Sequence, residues 1–146
     1  MKSQNTIFKF ALFGLFILVS SFFSNCKSST KDNTNHLKAS MEYFNEGAKI
    51  LNKNGSYETL DNQSMETIIK YNKLALKEAK LVNIKILNER YNGFGDHYNA
   101  EFVKGIEMFI SGYEDNDDVK FLKGQVLIEQ WGTWYSDNVA GIKKGK

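Results

Sequence analysis

Few side chains in this sequence are of types that do chemistry, and their spacing limits what they can do. The histidines are His36 and His97, and His97 has a possible second ligand at helical spacing in Glu101, four residues on. A zinc site draws on three or four protein ligands, and a di-iron bundle on two Glu-x-x-His pairs with further inward glutamates. The sequence holds no such set, so no metal is expected. The run Asp115, Asn116, Asp117, Asp118 begins like a calcium loop but lacks the glycine at loop position six and the glutamate at twelve. There is no Gly-x-Ser-x-Gly elbow, phosphate-cradling loop or nucleotide fingerprint. The expectation is therefore no catalytic residue, no cofactor and no enzyme. One charged pattern remains. Lys70, Lys73, Lys77 and Lys80 recur at helical steps and share one face. Such a face is either solvated, with Glu66 and Lys70 as a supporting i, i+4 pair, or a contact for lipid headgroups, surface polysaccharide or an acidic protein.

The remaining reactive group is the single cysteine, Cys26, and its neighbours explain it better than its thiol does. Residues 1–9, "MKSQNTIFK", carry two lysines and no acid, and residues 10–19, "FALFGLFILV", are apolar throughout. That is the charged region and short apolar region of a secretory signal. From Phe10 to Phe23 there are fourteen residues, short of the ~20 that cross a bilayer as a helix. Phe23, Ser24, Asn25 and Cys26 close the segment. This ending resembles the lipobox of bacterial lipoproteins, whose usual order is leucine, a small residue, glycine or alanine, then cysteine. Ser24 fits the pattern, while Phe23 and Asn25 are bulkier than usual.

The resemblance covers the first 26 residues and implies that Cys26 is acylated and becomes residue one of the mature chain. A diacylglyceryl group makes attachment stable where a single chain does not. Lys27, rather than aspartate, at the second mature position implies the outer membrane over the inner. Two alternatives stay open: cleavage after Ser21 with release of a soluble protein, and an uncleaved anchor. A lone cysteine forms no disulfide within its own chain. The implied division is a signal peptide at 1–25, lipidated Cys26 with a polar tether to 36, a helical domain at 37–137 and a flexible tail at 138–146. The tether, "KSSTKDNTNH" at 27–36, would reach ~20 Å as a random coil.

Once Lys2 and Lys9 leave with the signal, 17 basic side chains face 17 acidic ones. A balanced charge gives no bulk attraction for nucleic acid. Hydrophobic residues are 42% of the 146, enough for one core, and proline is absent, which favours uninterrupted helices.

The spacing of the apolar residues predicts those helices. Leu37, Met41, Phe44, Ala48 and Leu51 form the first stripe, with Thr34 or Asn35 as cap and Asn54-Gly55 as the break. Asp61 caps a second helix whose seam runs from Met65 through Ile68, Asn72, Ala75, Ala79 and Val82 to Ile86. At roughly 30 residues it would be ~45 Å long, stopping at Asn92-Gly93. Asp96 caps a third helix with Tyr98, Phe102, Ile106, Phe109 and Tyr113 inward, while Gly105 and Gly112 permit close approach of a facing chain. After the acidic turn at 114–118 a fourth helix carries two stripes. One is Phe121, Gly124, Ile128, Trp131 and Tyr135, and the other is Val119, Leu122 and Val126. Either that helix packs centrally, or its aromatic end covers something outside the domain. The fold expected is an all-α antiparallel bundle of about four helices.

Three functions fit these readings. The first is a non-enzymatic interaction or structural module, lipid-anchored in the bacterial cell envelope with a protein partner. The second is a membrane-surface inhibitor or immunity-type protein working through the loop at 114–118. The third is a carrier of a small hydrophobic ligand in a cavity lined by Trp131, Trp134, Phe102 and Phe109.

Overall fold

The computed structural model describes residues 28–144. Cys26 and the signal segment lie outside them. The described residues form an all-α bundle with no strand. Its helices are α1 (Ser28–Asn54), α2 (Asn62–Ala79), α3 (Ile84–Arg90), α4 (Phe94–His97), α5 (Lys104–Asp115) and α6 (Asp118–Lys144). A 3₁₀ turn (Tyr57–Thr59) follows α1, and a π-helical segment (Tyr98–Val103) joins α4 to α5 without a break.

Helix α1 is longer than its apolar stripe. Leu37, Met41, Phe44 and Leu51 are buried as the spacing requires, but the helix starts at Ser28. The tether expected at 27–36 is therefore helix from residue 28 onward. Polar side chains hold it. Asn33 and Thr34 are buried, and Asn33 clasps the main chain of Asn83, donating from Nδ2 to its carbonyl and accepting its N–H at Oδ1. His36 meets Glu78 at 2.7 Å. Neither Thr34 nor Asn35 is a cap: Thr34 lies within the helix and donates to the carbonyl of Thr30.

The second helix is two helices. Asp61 does cap α2, accepting from the Ser64 N–H at 2.6 Å. After Ala79 the chain tightens, with Leu81 and Val82 donating to carbonyls three residues back. Asn83 then turns extended, and its side chain accepts from the N–H groups of Lys85 and Ile86 to cap α3. An asparagine that caps forward while its own peptide is held by Asn33 ends the expected 30-residue helix. Gly93, with φ 77°, makes the next turn. Here Asn88, not Asp96, supplies the acceptor. Its Oδ1 takes the Gly95 and Asp96 N–H groups, and its amide donates to Asp96.

Two antiparallel hairpins, α1 with α2 and α5 with α6, pack face to face. Tyr98, Phe102, Ile106 and Phe109 are fully buried between them. Phe44 meets Phe102 edge-on at 5.3 Å, and the Tyr98 hydroxyl lies 2.7 Å from Ser40 Oγ, which donates to the Leu37 carbonyl. Burial pushes the Tyr98 phenol well above its usual pKa. The α5–α6 crossing is close because glycines line it. A Cβ on Gly105 would lie 2.8 Å from Ile128 Cγ1, and one on Gly124 would lie 2.7 Å from the Gly105 carbonyl oxygen and 2.8 Å from Phe109 Cα.

Of the flexible tail expected at 138–146, the described residues 138–144 are docked helix. Helix α6 runs to Lys144 and Ile142 is buried. The Tyr91 hydroxyl donates to Asn138 Oδ1 at 2.9 Å. The aromatic stripe brings this end of the helix to the core, and the tail follows it.

Candidate functional site

The lysine line survives as a face but not as a free one. Lys70, Lys73, Lys77 and Lys80 are all exposed. Lys73 Nζ lies 2.5 Å from Glu114 and Lys80 Nζ 2.7 Å from Glu107. Both acids belong to α5, spaced seven apart like the lysines they meet. Half of the line thus joins α2 to α5. Lys70 and Lys77 make no ion pair with the described residues.

The histidines have structural partners. His36 sits between Glu78 and, at 3.7 Å, Asp32. His97 bonds Glu101 at 2.7 Å and lies flat on Trp134, with centroids 4.3 Å apart. The second carboxylate oxygen of Glu101 is buried and without a hydrogen-bond partner among the described residues. Among those residues no group of three His, Cys, Asp or Glu side chains comes together around a metal-sized space.

Of the aromatic residues expected to line a ligand cavity, Trp131, Trp134 and Phe102 lie in one ring cluster, while Phe109 packs on Tyr57 and Phe121. Trp131 meets Phe94, Tyr98, Phe102, Trp134 and Tyr135 at ring distances of 5.4–6.0 Å. A separate small cavity of about 30 Å³ lies between α1, α2 and α6, with Phe44, Ile68, Asn72, Gln125 and Ile128 in its wall. By that measure one water needs ~10–15 Å³, so there is room for a water or two, far below the ~300 Å³ of a usual ligand pocket. Asn72 Oδ1, in that wall, is buried and has no hydrogen-bond partner among the described residues.

Helix α6 answers the question of its two stripes. The aromatic one is core, and the aliphatic one faces outward. Val119, Leu122 and Val126 are 63%, 56% and 50% exposed. They lie on two successive turns at the start of α6. Phe121 beside them packs on Tyr57 at 5.7 Å, just past the end of α1. The stripe therefore sits at the end of the bundle remote from residue 28. Acids border it. Asp115 holds Lys120 at 2.8 Å, Asp117 accepts the Lys120 N–H as cap of α6, and Asp118 is exposed. Asp115 and Asp117 are thus engaged within the turn rather than free to insert into a partner's site.

Two exposed large hydrophobic side chains, Tyr43 and Leu81, fall outside every stripe of the sequence. Leu81, 55% exposed, stands at the α2–α3 turn. Its signal was a leucine off the seam between a lysine and a buried valine. No family model matches the chain, and neither a curated protein nor a solved structure does.

Proposed function

We propose that this chain is a small lipid-anchored protein of the bacterial cell envelope, held in the outer membrane through acylated Cys26, that works without catalysis as a docking module for a protein partner. The observation that carries the docking is the outward stripe Val119, Leu122, Val126. Three large apolar side chains side by side on one helix face are costly to leave in water. They cover too little area for a self-sufficient dimer, which takes ~800 Å² from each copy. Lys123 stands on the same face and Asp118 at its edge, so the partner it suits carries a short apolar ridge edged by charges of both signs. The lysine face is the weaker candidate, since Lys73 and Lys80 are already paired.

Two measurements test the reading. Cys26→Ala should release the protein from the membrane fraction and abolish palmitate incorporation; retention of both overturns the anchor. Crosslinking in intact cells should give an adduct with the wild-type chain that Leu122→Glu with Val126→Glu removes. An adduct pattern identical in wild type and variant overturns the docking stripe.

A further inference from the structure

The exposed leucine of the α2–α3 turn, Leu81, lies close to the point where the proposed anchor joins the domain. Helix α1 begins at Ser28, so Cys26 is two residues away, at most ~7 Å of chain. The turn is tied to the first part of α1 by the Asn33–Asn83 clasp and by His36 with Glu78. From Ser28 to Asn33 is five residues, a rise of about 7.5 Å. Leu81 therefore belongs to the end of the bundle that the lipid would hold, while Leu122 lies near the other end of the 27-residue α1, about 30 Å along its axis from the clasp.

The charges at this end suit a bilayer surface. Lys31 on α1 and Lys85 on α3 are exposed and outside every ion pair of the described residues. Lys80 beside the turn reaches Glu107. Of the nearby acids, Glu78 is bonded to His36, and Asp32 faces the other edge of the same ring. An exposed leucine with unpaired lysines on the elements beside it is the arrangement by which a peripheral segment dips into the headgroup region, its ammonium groups meeting phosphates.

We infer that the α2–α3 turn is a second membrane contact, with Leu81 entering the lipid interface and Lys31 and Lys85 meeting anionic headgroups. The contact rests on the acylation of Cys26. With so short a link, the bundle stands directly on the bilayer by this end rather than swinging on a tether.

The test uses the full chain purified from envelopes and reconstituted in phosphatidylethanolamine–phosphatidylglycerol vesicles. Leu81→Cys and, separately, Leu122→Cys carry a dye quenched by aqueous iodide. Quenching at 81 should be at least threefold weaker than at 122. A thiol titration of the same variants before labelling separates the two ideas. One reactive thiol per chain means that Cys26 is blocked, and equal quenching at the two positions then overturns the membrane contact alone. Two reactive thiols overturn the acylation and the contact with it. Shielding of 81 that grows with the protein-to-lipid ratio means that a second copy covers the turn, which also overturns the contact. Lys31→Gln with Lys85→Gln should raise quenching at 81 about twofold; no rise removes the headgroups from the proposal.

Discussion

The two hairpins of this bundle are held by different physics. Between α5 and α6 the backbones meet, because Gly105, Gly112 and Gly124 leave room for Ile128, Phe121 and Phe109. The aromatic side chains of α6 then fill the space above. Between α1 and the α2–α3 segment, buried Leu37, Met41, Leu51, Ile68 and Ala75 are joined by polar contacts, Asn33 on Asn83 and His36 on Glu78. The first hairpin depends on shape, which tolerates almost no added volume. The second adds to its apolar burial a few directional bonds, each worth about 1 kcal/mol net. One hairpin should fail all at once, and the other piece by piece.

The sharpest way to break that contrast is Gly124→Val. Its branched side chain meets main-chain atoms of Phe109 and Gly105, which cannot move aside as a side-chain tip can. A loss of at least about 3 kcal/mol is expected, read as a large drop in the urea midpoint with cooperativity retained. Asn33→Ala should cost less, about 1–2 kcal/mol. Its signature is local: amide exchange at residues 80–90 accelerates while the α5–α6 amides keep their protection. If Asn33→Ala instead lowers protection evenly, the two hairpins are not independent and the comparison fails. Smallest of all, Lys73→Gln with Lys80→Gln should change stability by less than about 1 kcal/mol, the effect vanishing in high salt. These exposed ion pairs gain little over hydrated charges.

The same division governs what could be read from the sequence. The buried face leading into α5 was legible, since Tyr98, Phe102, Ile106 and Phe109 recur at helical steps and Gly105 marks a close approach. Apolar periodicity records which face is buried. It does not record that "STKDNTNH" is helix, because Asn33 is buried for the sake of one peptide group fifty residues away. Nor does it record the end of α2. The seam continues through Val82 to Ile86, and what interrupts it is Asn83 satisfying α3 while Asn33 holds its backbone. The lysine line was legible as a face, but its partners Glu107 and Glu114 are set by how α5 crosses α2, which no local pattern contains. The outward stripe of α6 was visible as an excess of apolar positions, and only the packing tells that the aromatic stripe went inward.

The glycine crossing also limits how the molecule can move. With Gly124 seated against Gly105 and Phe109, α6 cannot creep along α5 by a fraction of a residue. Steric interlock leaves only whole-turn jumps of about 5.4 Å, each of which would uproot Trp131 from its rings. Load applied at the start of α6 is thus passed to its C-terminal end as through a stiff rod.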